Sequence, residues 1–219
     1  MEMKKQGKHS SLLPVSHVST SFNARIMHST YTPSSIERSK LVIPGTRIDL
    51  RPVRAADLTQ LRQWEHDPQI AKLMATTATV LDTRESVEQE FDRLLRAPRI
   101  KLLTIQTKEG AVIGFIRLND IDWIARKATL RLFVAPEMQG QGYGTDALHT
   151  LARFCFRELG LHRLGLVVRV DNTRAINVYK RLGYVVEGCE RDAAWVEGCW
   201  VDFLHMGLLA HEWKEEALG

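Results

Sequence analysis

Two periods of apolar residues run through the chain. From Arg47 to Arg51 polar and apolar residues alternate, the period-two signature of a strand, and Pro52 ends it. Leu58, Leu61 and Trp64 then recur at helical spacing. Asp67-Pro68 supplies a capping side chain followed by a first-turn proline, and so predicts a second helix. Asp82 and Glu85 have capping-box spacing ahead of Val87, Phe91, Leu94 and Leu95, which share one helical face until Pro98. Strands follow at 101–107 and 111–118, with Lys108-Glu109-Gly110 as the hairpin between them. A further strand spans 128–134, with Leu130, Leu132 and Val134 on one face, and Pro136 stops it. Leu148, Leu151, Cys155 and Leu159 predict a long helix ended by Gly160. A β-branched strand at 164–170, a helix from Asn172 to Gly183, and strands at 184–190 and 200–209 complete the pattern.

The predicted order is β-α-α-α-β-β-β-α-β-α-β-β. Hairpins sit beside strand–helix–strand crossovers, so the expected class is α/β (α+β) with a mixed sheet of about seven strands flanked by helices. Residues 41–212 are expected to hold this domain, and 213–219 a short C-terminal tail. Residues 1–40 carry nine serines, three threonines and no sustained periodicity. They read as a flexible extension.

Charge sharpens that division. Residues 1–40 hold six basic and two acidic residues, whereas 41–219 hold 24 of each. The basic excess of the 219-residue chain therefore lies outside the expected domain, which removes the case for a nucleic-acid-binding globule. Three scattered cysteines, Cys155, Cys189 and Cys199, fit neither a disulfide framework nor a C-x-x-C zinc site, so no metal is expected. No apolar run approaches the roughly 20 residues of a membrane helix, and the start does not read as a secretory signal. The expectation is a cytoplasmic protein with no membrane partner.

The chemistry concentrates in Val134-Ala-Pro-Glu-Met-Gln-Gly-Gln-Gly-Tyr-Gly-Thr145, between a strand and a long helix. Closely spaced glycines let a ligand approach the backbone, and a helix N-terminus offers unpaired N–H groups to an anion such as a pyrophosphate. A Walker loop needs Gly-Lys-Ser/Thr, which is absent. A dinucleotide fingerprint needs different glycine spacing after the first strand of a parallel sheet. A coenzyme A loop is the third reading.

On that loop, the stretch from Leu130 to Leu209 resembles the GNAT family of acyl-CoA-dependent N-acyltransferases. Gln139-x-x-Gly142-x-Gly144 matches the family's pyrophosphate loop. Val170-Asp-Asn-Thr-Arg-Ala-Ile-Asn-Val-Tyr-Lys-Arg-Leu-Gly-Tyr184 matches its second block. The ending from Glu197 to Met206 and the start from Arg51-Pro52 to Asp67-Pro68 look like the branch with ribosomal-protein and spermidine acetyltransferases. The resemblance covers about residues 45–210.

The resemblance implies a mostly antiparallel sheet in which the third and fourth strands splay apart near a bulge and admit the pantetheine arm. Arg131, Leu132 and Phe133 would then give it backbone contacts, and a backbone N–H of the fourth strand would polarise the thioester carbonyl. Gln139, Gly140, Gln141, Gly142, Tyr143, Gly144 and Thr145 would cradle the pyrophosphate. Asn172 reads as a helix N-cap from its position, and the resemblance adds a cofactor contact, with Ala175 nearby. Tyr179, two helical turns on, matches the family's general acid, while its spacing also suits a core tyrosine. The implied reaction is direct attack of an amine on acetyl-CoA, without a covalent enzyme intermediate. Cys155, on an apolar helix face, is not expected to be a nucleophile.

Two departures stand out. Many relatives carry Glu where this chain has Thr129, so the general base stays open among Asp120, Asp122, Glu65, His66 and a water chain. The uncharged stretch Ala75–Val80 lacks the acids of spermidine-specific relatives, which leaves a peptide N-terminus or a small amine as acceptor. Another acyl-CoA such as succinyl-CoA, or a non-catalytic acyl-CoA-binding module, is the alternative. A homodimer is the expectation for the branch.

Overall fold

The computed structural model describes residues 42–66, 89 and 92–215. The expected extension at 1–40, the helix start at Asp67-Pro68, the capping box at Asp82 and the stretch Ala75–Val80 lie outside these residues. Eight strands form one sheet: β1 (Ile43–Pro44), β2 (Ile48–Pro52), β3 (Lys101–Thr107), β4 (Val112–Asp122), β5 (Lys127–Val134), β6 (Arg163–Arg169), β7 (Val185–Val196) and β8 (Cys199–Leu209). The described helices are α1 (Leu58–His66), α2 (Tyr143–Arg153) and α3 (Thr173–Arg181), with a further helical turn at 92–96. The eighth strand, β1, is only two residues long, too short to show a period.

The sheet order is β1-β2-β3-β4-β5-β6-β8-β7, and only β5 and β6 run parallel. The parallel pair follows from the α2 crossover between them. Lys108–Gly110 does turn the β3–β4 hairpin, with Gly110 at φ 95° and its N–H donating to the Thr107 carbonyl. The β7–β8 hairpin is longer than the apolar pattern suggests. It continues to a two-residue turn, Glu197-Gly198, in which both residues have positive φ. The extra part of β7 hides in the sequence because a register shift between Glu190 and Ala194 interrupts the alternation.

Alternation along β5 divides the core. Leu130 and Val134 are buried with Leu148 and Leu151 of α2. Phe133, one position out of phase, packs instead with Leu61 and Trp64 of α1, its ring 5.3 Å from those of Trp64 and Phe115. A buried ion pair fixes the entry to α1. Arg51 Nη1 and Nη2 donate to the Asp57 carboxylate at 2.6 and 2.9 Å, and the Arg54 N–H adds a third bond at 2.7 Å. The α2 helix ends in a π-helical segment at Phe154–Glu158, where the Leu159 N–H donates to the Phe154 carbonyl. Gly160 then turns the chain at φ 63°. Past residue 212, Trp213 still packs on His149 and Phe156.

Candidate active site

β5 and β6 separate. They pair only through Lys127↔Arg163, Ala128↔Leu164 and Thr129↔Gly165. Beyond Thr129, β5 keeps β4 as its neighbour up to Val134, while β6 turns its other edge to β8 through Arg169. Leu130 to Val134 therefore present one backbone edge to an opening in the sheet. This corrects the expected location. The third and fourth strands of the sequence reading, now β4 and β5, pair from Gly114↔Val134 to Asn119↔Thr129, and the divergence lies one strand further on. β4 and β5 form a continuous antiparallel pair, whereas the parallel β5–β6 pairing ends at Thr129. The predicted residues Arg131, Leu132 and Phe133 do lie on the freed edge.

The glycine loop sits at the head of this opening. Gly140 and Gly142 have φ of 83° and 86°, backbone that other residues adopt only under strain. Gly142 occupies the N-cap position of α2 and cannot offer a side-chain cap, so the first N–H groups of the helix are left to other partners. Gly144 is different. A Cβ there would meet only Leu132 Cδ2 at 3.5 Å and Val134 Cγ2 at 3.6 Å, ordinary contacts. Neither the fold nor a positive φ requires glycine at 144. Gln139 ties the loop to the strand, its Nε2 donating to the Val134 carbonyl at 2.9 Å. Gln141, Tyr143 and Thr145 complete the turn into α2.

Three residues to which the sequence reading gives no role at the site hold this loop. Asp146, buried in the first turn of α2, accepts the N–H groups of Thr46, Arg47 and Ile48 at 3.1, 2.6 and 3.0 Å. Gly45 lets this approach happen, because a Cβ there would lie 2.6 Å from Thr150 Oγ1. Arg47 Nη1 then donates to the Gln141 carbonyl at 3.0 Å. From the other side, Arg174 Nη1 donates to Gln139 Oε1 at 3.3 Å. Two guanidinium groups thus flank the loop. Their partners lie 35 to 94 residues away in sequence, beyond the reach of any local pattern.

On α3, Asn172 is the N-cap, its Oδ1 accepting the Ala175 N–H at 3.1 Å. That bond uses the Ala175 N–H and leaves the Asn172 amide nitrogen as its donor. Tyr179 lies partly buried against the main core, its ring 5.8 Å from Tyr184. Burial pushes its phenol up to about 12. Burial also pushes the Cys155 thiol up to about 12, which makes it a poor nucleophile.

Among the candidate bases, Asp122 is committed to a turn. Its Oδ1 accepts the N–H groups of Ala125 and Ile124 at 2.8 and 3.0 Å, and the Ala125 bond first of all holds its carboxyl below the usual range. Asp120, at φ 51° in the irregular part of β4, accepts from Thr129 Oγ1 at 3.4 Å. The side chains of Glu65 and His66 lie outside the described residues. Among the described residues no helix is long and apolar enough to cross a membrane, and no three His, Cys, Asp or Glu side chains gather as metal ligands.

Known proteins are similar to this chain in sequence and in fold. The family model for the "Acetyltransferase (GNAT) domain" matches residues 47–185. YdaF of Bacillus subtilis (strain 168) is 34% identical over 108 residues, 49% of this chain and 59% of YdaF. The spermidine N(1)-acetyltransferase of Escherichia coli (strain K12) is 23% identical over 169 residues, 77% of this chain and 89% of that protein. The crystal structure of spermidine N-acetyltransferase from Vibrio cholerae, in complex with CoA and spermine, superposes with a TM-score of 0.69 at 22% identity. It covers 76% of this chain and 97% of that one. With the loop, the start of α2 and the strand opening in place, the match identifies the chain as a member of the GNAT family of acetyltransferases, an N-acyltransferase that uses acetyl-CoA to acetylate an amine.

Proposed function

We propose that acetyl-CoA lies with its pyrophosphate on Gln139–Thr145 and its pantetheine arm along Arg131–Phe133, and that the acceptor is a small amine or a peptide N-terminus. The observation that carries this reading is the departure of β6 from β5 beyond Thr129, beside a glycine loop with unfilled helix N–H groups. An amide-rich arm can pair with the freed edge of β5 as a strand would. Helix N–H groups and the guanidinium groups of Arg47 and Arg174 suit a pyrophosphate. Asn172 and Ala175 border the arm from α3.

The acceptor amine, once neutral, attacks the thioester carbonyl. The N–C bond forms, and a β5 backbone N–H stabilises the oxyanion. As the intermediate collapses the C–S bond breaks, the Tyr179 phenol gives its proton to the departing sulfur, and the phenolate then takes a proton back from water. The ammonium proton of the adduct passes to water, and the products are the N-acetylated amine and CoA thiol. A phenol near 12 stays protonated across the physiological range, as an acid in this role must be. The protein is further proposed to be cytoplasmic and to work as a homodimer; a spermidine N-acetyltransferase of Vibrio cholerae forms a dodecamer.

The test is thiol release from acetyl-CoA against a panel of amines and peptides. Amine-dependent release with a matching N-acetylated product is expected. Tight CoA binding without turnover on any amine overturns the enzymatic reading.

A further inference from the structure

One face of α2 is polar although it is largely buried. Asp146, His149, Thr150 and Arg153 recur at helical spacing, and the first three are buried. With Gly45 and Thr46 of the β1–β2 turn and Glu215 of the C-terminal segment they line a cavity of about 280 Å³. No apolar side chain lines it, and neither does any residue of the glycine loop at 139–145. Buried polar groups ordinarily have partners. His149 is only 8% exposed, yet its buried Nε2 has no hydrogen-bond partner. The Trp213 ring lies 5.5 Å from that of His149, and its Nε1–H is likewise buried without a partner. An indole N–H only donates, and an imidazole Nε2 donates in one tautomer and when protonated. The carboxylates here are already engaged: Asp146 accepts three backbone N–H groups, and Glu215 pairs with Arg157 at 3.0 Å. Arg153 donates to the Pro44 carbonyl, a neutral acceptor, and among the described residues it has no carboxylate partner. The cavity therefore has donors and a positive charge to spare. Among the described residues no His, Cys, Asp and Glu side chains gather as metal ligands, so a cation is not what it suits.

We infer that this cavity is a second binding site, for a small oxyanion held by the Arg153 guanidinium, the Thr150 hydroxyl and the His149 ring. A guanidinium gives two parallel N–H bonds to a phosphate or a carboxylate, and both ions share this chemistry. The volume suits an ion of a few heavy atoms with its water, at about 30 Å³ per water. The site also reaches the glycine loop through the β1–β2 turn. Thr46 lines the cavity and gives its N–H to Asp146, and the next residue, Arg47, holds the Gln141 carbonyl. An anion that holds this turn against α2 favours the Arg47–Gln141 contact, so anion and CoA each tighten the other. The site itself is independent of the acetyl-transfer reading; only the coupling rests on CoA lying along the loop.

Calorimetric titration of the CoA-saturated full chain, at constant ionic strength, reads the cavity with the CoA site filled. The probes are inorganic phosphate, acetate and malonate. Saturable uptake with a Kd of about 1 mM or tighter is expected, and the probe that binds distinguishes phosphate from carboxylate. Arg153→Gln and His149→Gln should each weaken it about tenfold or more, with Arg153→Lys retaining part of the affinity. No saturable uptake of any probe, or uptake unchanged in both Gln variants, overturns the site. The coupling is read as the Kd for CoA with and without the saturating anion. The anion should lower that Kd severalfold in the wild-type protein and leave it unmoved in Arg153→Gln. A rise in Kd that persists in Arg153→Gln is competition at the glycine loop and overturns the coupling, as does saturable uptake with the CoA affinity unmoved. Neither titration needs turnover, so a failure of acetyl transfer and a failure of the anion site are told apart.

Discussion

The two sides of the β5–β6 opening are built from different materials. On the loop side the working groups are backbone: the freed edge of β5, the N–H groups at the start of α2 and the turn through Gly140 and Gly142. On the α1 side the sheet presents side chains, with Thr129 and Arg131 on β5, Arg117 and Asp120 on β4, and Trp64 and Phe133 in an apolar cluster. Backbone geometry is encoded locally, by glycines and strand ends. Side-chain constellations depend on register between strands. Single substitutions on the first side leave its backbone groups in place, whereas on the second they change what the face presents.

The largest effect is expected where the two sides meet, at the departing thiolate. Tyr179→Phe removes a proton donor and almost no volume. A fall in kcat of about 10²- to 10⁴-fold is expected, with CoA affinity kept. Because burial holds the phenol near 12, the enzyme should show no loss of rate from Tyr179 ionisation below about pH 11. Calorimetry for CoA and a pH–rate profile measure both. Full activity in the variant would make Tyr179 a core residue only.

The same contrast decides what could be read from the sequence. The loop lies within twelve contiguous residues, and Asn172 announces its cap by standing before a helical stretch, so both were legible. The resemblance implies an opening between β4 and β5, whereas it lies between β5 and β6. The alternation of Leu130, Leu132 and Val134 marks a strand and its buried face, yet says nothing about which neighbour leaves it. Asp146 reads as an ordinary first-turn acid, since its three donors lie 98 to 100 residues away.

Asp146→Asn tests whether the backbone side is preorganised by that distant anchor. Asp146 Oδ2 accepts two N–H groups and Oδ1 one, so an amide NH₂ at either position faces a donor. A stability loss of roughly 2–3 kcal/mol is expected in denaturant unfolding. Loosening the β1–β2 turn also releases the Arg47 contact with Gln141, so KM for acetyl-CoA should rise more than kcat falls. Equal losses in both on every acceptor, with CoA affinity unchanged, would reduce Asp146 to a structural role.

Gly144→Ala is the smallest change and separates fold from ligand by sign. The protein has room for the methyl, with its nearest neighbours at 3.5 and 3.6 Å. Alanine in place of glycine favours the helix by up to about 1 kcal/mol, so the melting temperature should rise. Gly142→Ala should lower it, because alanine resists φ of 86°. If the pyrophosphate rests against the first turn of α2, the methyl at 144 stands in its path, and CoA affinity should fall severalfold even as stability increases. A stabilised variant with unchanged CoA affinity would place the phosphates elsewhere on the loop and leave Gly144 without a role in either the fold or the site.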